Sequence, residues 1–434
     1  MKEKVKIDYF GLSLRNLGRH KVKTIITLIA VAVGVLAYVW MDAWLLGMNI
    51  DSKRNLINYE TGSSKIYAKA YFNKKDELPM YESFTNYQDI IKKLNDNGFN
   101  ASPNFVFGGS LLSPKQEVPF LFIGLDPELE KKTLSYYKFV KEGTFVEKGQ
   151  FKILIGERGA ENLGVKVGDS VRLSTVIDKK DENGKIKHIN QLIELIVGGI
   201  VNSPNPKTNG NIGYLPLDIL QDEMGLLLEG HIIQICIRKA DVSESALPNN
   251  TESVLKVKQI LGDTLRPELT IVDWATDAKD YIAASNGDNV SNRVMLIFLF
   301  IIVFMGIANT MLMAVIERTK EIGMLRSMGL LDHSVIILFL FEAGLIGFIG
   351  SLIGNIASIP LNYFMVTYGI DYSEMAKQMN GNFGYRITAI FRSAWNFHTM
   401  IASVIICTIV SAAMAFLPAL KAVKMSVVET LRFE

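Results

Sequence analysis

VMLIFLFIIVFMGIANTMLMAVIERTKEIGMLRSMGL, residues 294–330, is the stretch that decides the fold. Its first part, residues 294–316, is almost wholly apolar and, at about 20 residues, is long enough to cross a bilayer as a helix. A charged segment, residues 317–329, follows at once, and residues 335–359 are apolar again. The pattern predicts two membrane-spanning helices joined by a short water-exposed connection that a soluble motor protein could grip.

The connection has the spacing of a short amphipathic helix. Its apolar side carries Ile322, Leu325 and either Met328 or Gly329, which recur at helical intervals. Charged residues surround that side: Arg318, Glu321 and Arg326. Gly329 ends the predicted helix, because glycine is common just past a helix C-terminus. An ordinary surface loop is the alternative interpretation.

Composition and charge distribution indicate the class of protein. The chain has 434 residues, of which 49% are hydrophobic, and the apolar residues are concentrated in four blocks. The net charge of +2 says little, but seven of the first 23 residues are Lys or Arg and two are acidic, just before the first block. This predicts a cytoplasmic N-terminus. A cleaved signal peptide is disfavoured, because the apolar block is longer than a usual signal core and no cleavage motif follows it.

These features predict an α-helical membrane protein with four transmembrane helices and a large mixed α+β extracytoplasmic domain. The expected organisation is a cytoplasmic amphipathic helix at 1–23, transmembrane helices at 24–48, 294–316, 334–361 and 399–418, an outer domain with stalk helices at 49–293, a cytoplasmic helix at 317–333, an outer loop at 362–398 and a cytoplasmic tail at 419–434.

The region between the first two spans carries mixed strand and helix signals. Its clearest hairpin signal is Asn183 followed by Gly184, which predicts that residues 170–177 pair with residues 186–201.

Residues 274–289 are polar and predict a helical stalk that leads into the second span. Asp273, Asp277 and Asp280 recur along this stalk, where we expect a solvated face rather than an acid/base site.

Few polar residues interrupt the apolar blocks, and they are too scattered to line an aqueous pore. Asn309 and Glu342 are examples. We expect Glu342 to face another helix or a cavity, because a charge at the centre of a spanning helix costs about 2.5–3.5 kcal/mol. Small residues near it have the spacing that lets helix backbones approach closely: Ala343, Gly347, Gly350, Ser351 and Gly354.

Motifs for enzyme chemistry are missing from the sequence. There is no GxxxxGK[ST] phosphate loop, no HExxH and no GxSxG motif. Cys236 and Cys407 fall in a predicted soluble strand and a predicted span, so a disulfide is not expected, and no His or Cys cluster suggests a metal. We therefore expect a non-catalytic chain that binds no cofactor or nucleic acid and takes its energy from another subunit.

Several segments resemble the permeases of the FtsX and MacB superfamily of ABC transporters. They are NTMLMAVIERTKEIGMLRSMGL, LSLRNLGRHKVKTIITLIAVAVGV near the start and PALKAVKMSVVETLRFE at the end. TGSSKIYAKAY and IGERGAENLGVKVGDSVRLS look more narrowly like the lipoprotein-releasing LolC and LolE type. The resemblance implies a dimeric permease of the bacterial inner membrane with both termini cytoplasmic, a MacB-like periplasmic core domain, a second permease subunit, identical or paralogous, and a cytoplasmic ABC ATPase dimer that holds ATP and Mg.

The resemblance also implies site residues and a mechanism of force transmission across the membrane. In the lipoprotein-releasing branch, a lipoprotein is extracted from the outer leaflet and handed to a periplasmic carrier. The implied ATPase-coupling residues are Glu317, Arg318, Thr319, Lys320, Glu321, Ile322, Met324 and Leu325. Those implied to contact substrate lipid are Leu45, Met48, Met295, Phe298 and Ile302. The implied carrier-docking hairpin includes Lys179, Lys180, Asn183 and Gly184.

Alternatives remain open at this level. The hairpin lacks the apolar, proline-bearing tip that the family uses, so a solvated turn is the other interpretation. For the whole chain, a MacB-like exporter of a peptide, toxin or drug is the near alternative. An FtsX-like regulator of a cell-wall hydrolase is the distant one, and a membrane-bound enzyme is disfavoured by the missing motifs.

Overall fold

The computed structural model describes residues 8–19, 21–180, 185–223, 230–372 and 390–424. The chain divides into two compact units. The helical unit comprises the described parts of Met1–Met48, Asn286–Asp371 and Phe391–Glu434, and the sheet domain comprises those of Asn49–Ser285 and Tyr372–Ile390.

The described α-helices are α1 Tyr9–Arg19, α2 Lys21–Leu56, α3 Lys69–Asn73, α4 Gln88–Asp96, α5 Pro127–Thr133, α6 Glu157–Leu163, α7 Asn250–Leu261, α8 Trp274–Asp277, α9 Lys279–Glu317, α10 Thr319–Ser327, α11 Asp332–Thr367 and α12 Phe397–Lys424. The described strands are β1 Ser64–Ala68, β2 Phe99–Leu112, β3 Glu117–Leu125, β4 Val140–Gly143, β5 Lys152–Gly156, β6 Ser170–Lys180, β7 Ile186–Val201, β8 Ile212–Pro216, β9 Gln234–Lys239, β10 Leu269–Asp273, β11 Ile370–Asp371 and β12 Ile390–Phe391.

Four helices in the described part of the chain are long and apolar enough to cross a membrane, as the sequence predicts. The candidate spans are Thr24–Thr61, Lys279–Gly306, Asp332–Thr367 and Phe397–Lys421. Within the helical unit, the buried side chains of these helices form one cluster that includes Val31, Val35, Phe304, Ile346 and Cys407.

Small residues on α11 sit where it crosses its neighbours, as their spacing predicts. A Cβ on Gly354 would lie 2.5 Å from the Ala32 carbonyl oxygen of α2, and one on Gly347 would lie 2.7 Å from the Cys407 carbonyl oxygen of α12. Neither position has room for a side chain, so glycine here permits the close helix packing.

The described residues of the sheet domain form a sheet of ten strands in the order β10-β1-β9-β2-β3-β8-β5-β7-β4, with β6 pairing β2 and β7. Its largest buried side chains are aromatic and come mainly from β1, β2 and β3, and they include Tyr67, Phe105, Phe107 and Phe122. Phe107 and Phe122 stack across β2 and β3 with ring centroids 5.3 Å apart. Aromatic pairs of this kind fill the interior of the domain and help to hold the strands in register.

The predicted hairpin is present. β6 and β7 pair antiparallel from Ser170 opposite Ile196 to Lys180 opposite Ile186. Val171, Leu173 and Ile177 of β6 are buried on one face, whereas Val176 is exposed, as alternation along a strand requires. The predicted turn residues Asn183 and Gly184 lie outside the described residues.

The stalk at residues 274–289 differs from the prediction of one helix with a solvated acidic face. Asp273 ends β10 and accepts hydrogen bonds from the backbone of Ala275 and Thr276, so it caps α8. The helix is interrupted at Ala278, whose backbone angles are φ −105° and ψ 36°. The Asp277 side chain is 3% exposed because lysines of the sheet domain enclose it.

Candidate functional site: the α10 connection and its supports

Arg318 fixes the start of α10, the short helix between α9 and α11. The residue is buried, and its Nη1 donates to both carboxylate oxygens of Glu342 at 2.8 and 2.9 Å. Its Nη2 donates to the backbone oxygen of Asn16 in α1 at 3.3 Å. One guanidinium therefore joins α1, α10 and α11 through charge-assisted hydrogen bonds.

This ion pair corrects the expected orientation of α10. The predicted apolar side is Ile322, Leu325 and either Met328 or Gly329. Ile322 is buried, but Met328 is 71% exposed and the charged Arg318 is only 8% exposed. Arg318 can be buried because Glu342 balances its charge, and Glu342 faces another segment as its cost inside a helix predicts. The Leu325 side chain lies outside the described residues.

The middle and the end of α10 are also held. Ile322 packs with Val335 and Phe339 of α11 and with Ala419 of α12. At the end of the helix, Arg326 Nε donates to Asp332 Oδ1 at 2.9 Å. Three supports along nine residues make α10 a fixed element of the helical unit.

The remaining side of α10 is exposed. Glu317, Lys320, Glu321 and Met324 are exposed and recur at helical spacing, and Thr319 is buried beside Arg318. Glu321 lies 3.7 Å from the exposed Arg19 of α1. The exposed stripe combines both charge signs with an apolar Met324, a composition suited to a protein groove.

The residues implied to contact lipid do not form one exposed surface in this chain. Met295, Phe298 and Ile302 are exposed and share a face of α9. Leu45 of α2 is half-buried and Met48 is buried. Asn309 is exposed further along α9.

The implied carrier-docking residues are only partly described. Lys179 and Lys180 belong to β6, opposite Lys187 and Ile186, and their side chains are not described. The described part of the hairpin carries exposed apolar residues on its strands, among them Val176, Ile189 and Leu192.

A buried charge cluster at Asp277 is the feature that sequence reasoning missed. Asp277 accepts from the Tyr67 hydroxyl at 2.7 Å and lies 3.0 Å from the Lys65 Nζ, with Lys75 as a second ion-pair partner. Burial alone would raise the pKa of the Asp277 carboxyl, but the two ammonium groups outweigh burial and hold that pKa well below its usual value. The sequence signal that could have found it is Lys65 beside Ile66 and Tyr67 in a predicted strand, because a Lys that is buried needs a carboxylate.

A second buried acid, Glu130 of α5, lies in the same domain. It accepts hydrogen bonds from Ser102 at 2.5 Å, Asn104 at 3.0 Å and Tyr136 at 3.1 Å. Burial raises the pKa of Glu130, and these donors offset part of the rise. The arrangement joins α5 to β2.

Two family models match the sequence. The MacB-like periplasmic core domain matches residues 24–247, and the FtsX-like permease C-terminal domain matches residues 293–427. Together they cover the sheet domain up to residue 247 and the helices around α10.

Full-length relatives agree with these matches. The chain is 22% identical to an ABC transporter permease of Methanocaldococcus jannaschii over 98% of both chains. It is 23% identical to the lipoprotein-releasing system transmembrane protein LolC of Neisseria meningitidis, over 82% of this chain and 81% of that one. It is 22% identical to the macrolide export ATP-binding/permease protein MacB of Campylobacter jejuni, over 84% of this chain but 55% of that longer one.

The family models, the relatives and the architecture indicate the same class of protein. In the described part of the chain, four apolar helices accompany a large mixed α and β domain inserted after the first of them. Relatives of this kind are permease components of ABC transporters, which work with an ATPase and a permease partner. The chain belongs to the FtsX/MacB superfamily of ABC transporter permeases.

Proposed function

We propose that the chain is the permease subunit of a lipoprotein-releasing ABC transporter in the bacterial inner membrane. A partner ATPase dimer binds ATP and Mg on the cytoplasmic side, and the permease transmits its motion to the periplasmic sheet domain. The observation that carries the transport mechanism is the fixed position of α10, which is held by Arg318, Ile322 and Arg326 and keeps its opposite side exposed. The similarity to LolC over most of both chains supports the proposal that the cargo is a lipoprotein.

In this mechanism α10 is the coupling helix. The exposed stripe of Glu317, Lys320, Glu321 and Met324 docks in a groove of the ATPase. Because α10 is joined to α1, α11 and α12, a push on the stripe moves those helices rather than bending a loop. ATP binding brings the ATPase subunits together, and hydrolysis resets them.

The cargo enters sideways from the outer leaflet. Its acyl chains contact Met295, Phe298 and Ile302 on the exposed face of α9. Leu45 and Met48 of α2 remain part of the proposed lipid site, with Leu45 half-buried and Met48 buried in this chain. Extracting acyl chains costs about 0.8 kcal/mol per CH₂, and this large cost explains the use of ATP.

The β6–β7 hairpin is the proposed carrier-docking element, including Lys179, Lys180, Asn183 and Gly184. Its exposed Val176 and Leu192 supply apolar contact on the described strands. A soluble carrier bound there would receive the released lipoprotein.

The test is reconstitution of the complete transporter in liposomes with a triacylated fluorescent protein. We expect ATP to release that protein to a soluble carrier, and vanadate to stop release. Phe298→Ser should slow release, whereas Ile405→Ser, at a similarly exposed position on α12, should not.

The second candidate is a MacB-like exporter, favoured by the match to MacB over 84% of this chain. Stimulation of the ATPase by a peptide or drug, with no release of the lipoprotein, would replace the first proposal with this one. An FtsX-like regulator of a cell-wall hydrolase would show neither activity, and the large sheet domain speaks against it.

A further inference from the structure

The start of α9 is a structural break within the sheet domain. The single-turn helix α8 ends at Asp277, Ala278 leaves the helical conformation, and α9 begins at Lys279. Two backbone hydrogen bonds connect residues on either side of the break or at it, from Ala278 N to the Trp274 oxygen and from Ile282 N to the Ala278 oxygen. A single non-helical residue between two helices can act as a hinge unless side chains hold it in place.

Asp277 supplies that restraint. Its Oδ1 accepts from the Tyr67 hydroxyl of β1 at 2.7 Å and pairs with Lys75, and its Oδ2 lies 3.0 Å from Lys65 Nζ of β1. Lys75 Nζ also donates to the Asp277 backbone oxygen at 3.1 Å. The Asp277 side chain is therefore tied to β1, and both its side chain and its main chain are tied to Lys75 of the same domain.

The end of α2 meets the same junction. Leu56 and Ile57 pack with Trp274, and the cluster extends to Tyr281 and Ile282 of α9. Ser52 and Tyr281 share a hydrogen bond. The last turns of α2 and the first turns of α9 thus form one packed joint beside β1.

We propose that Asp277 is the positioning residue through which movement of α9 reaches the sheet domain. The inference rests on the proposed function, since it concerns how an ATP-driven movement is transmitted. α9 is one helix from Lys279 to Glu317, so a displacement at its far end arrives at Ala278. With the Asp277 contacts in place the joint is rigid and β1 follows. Without them Ala278 absorbs the movement.

The three charged side chains are buried to different degrees. This difference allows variants to separate an effect on stability from an effect on the transmission of movement. The side chains of Asp277 and Lys65 are 3% and 7% exposed, whereas that of Lys75 is 33% exposed. If Asp277 becomes neutral, Lys75 can turn to water but Lys65 keeps an uncompensated buried charge. The double variant Lys65→Met/Asp277→Asn removes both buried charges and should fold well, yet it lacks the ion-paired joint.

The experiment compares hydrogen exchange of the complete transporter in nanodiscs, without nucleotide and with ATP bound to a hydrolysis-deficient ATPase. In the wild type we expect ATP to change exchange both in residues 317–329 and in β1 and β2. Asp277→Asn should keep the first change and reduce the second at least about five-fold. Asp280→Asn, at an exposed position on the same stalk, is the matched control and should behave as wild type.

The double variant decides between a structural and a transmitting role. We expect it to regain the thermal midpoint of the wild type while the ATP-dependent change in β1 and β2 stays lost. Two results would overturn the proposal. One is a double variant that regains both the thermal midpoint and the ATP-dependent change in exchange of β1 and β2, and the other is a wild-type change in exchange in Asp277→Asn. The exchange response requires no cargo, so a failure of lipoprotein release leaves this test unaffected. A wild type whose sheet domain does not respond to ATP would overturn it as well.

Discussion

The Arg318 guanidinium is buried beside α10 with Glu342 as its counter-charge. A buried ion pair is expensive to form, but removing one partner is more damaging, because the other charge then remains buried alone. The pair therefore fixes the position of α10 more than it stabilises the fold.

Arg318→Met should lower the free energy of unfolding by about 3–5 kcal/mol, because Glu342 is left uncompensated. Thermal denaturation of the full chain in nanodiscs measures the effect. Arg318→Met/Glu342→Gln should recover most of the loss. Glu321→Gln, in the exposed pair with Arg19, is the control and should change stability by less than about 1 kcal/mol. Equal losses in the single and double variants would contradict a charge-balance role.

Asp277 gives a prediction about pH. Its pKa is depressed in the fold, so its stabilisation is complete above the ordinary Asp pKa of 3.8 and declines as pH falls below that value. Asp277→Asn should cost about 3 kcal/mol near pH 7, and the difference from wild type should shrink near pH 3. Thermal melting of the wild type and of Asp277→Asn in detergent, from about pH 7 to about pH 3, checks the direction in which the stability difference changes. A difference that grows in acid would refute it.

At the scale of elements, α10 presents different chemistry on its two sides. The side with Arg318 and Ile322 is committed to helices of the same chain, and the side with Glu321 and Met324 is exposed. A substitution on the exposed side should therefore affect a partner and leave the fold intact.

Glu321→Lys should insert and fold normally but lose co-purification with the ATPase, because it reverses a charge at the centre of the exposed stripe. The measurement is the amount of ATPase recovered with tagged permease from membranes. Glu142→Lys, the same change at an exposed position of β4, should leave recovery unchanged. Unchanged recovery with Glu321→Lys would remove α10 from the interface.

Sequence patterns predicted the elements that depend on local signals. The four spans follow from long apolar runs, and the β6–β7 pairing follows from the Asn183 and Gly184 turn signal between two alternating strands. The close packing at Gly347 and Gly354 also follows from spacing along one helix. Each of these depends on residues near one another in the chain.

The side-chain partnerships could not be predicted in the same way. Tyr67 is 210 positions from Asp277, and Arg318 is 24 from Glu342. A charge at a given helix position looks solvated until its partner is known, so Asp277 was expected on a wet face and Arg318 outside the buried side of α10. Burial with a partner reverses both expectations.

At the scale of the whole molecule, two helices belong to both units. α2 runs from Lys21 to Leu56 and α9 from Lys279 to Glu317, so each contributes residues to the helical unit and to the sheet domain. The end of α2 and the start of α9 pack together at the joint around Asp277 in the sheet domain, and the other end of α9 is followed by the Arg318 ion pair in the helical unit. This continuity of α9 is what the proposed transmission of force requires.

The central claim is that α10 is gripped by the ATPase. A photo-crosslinking amino acid in place of Met324, which is 55% exposed, tests it in cells that express the complete transporter. The account predicts a covalent adduct with the ATPase, and none when the same group replaces the exposed Leu192 of β7. No ATPase adduct at position 324, or an adduct there with an extracytoplasmic protein, would contradict it.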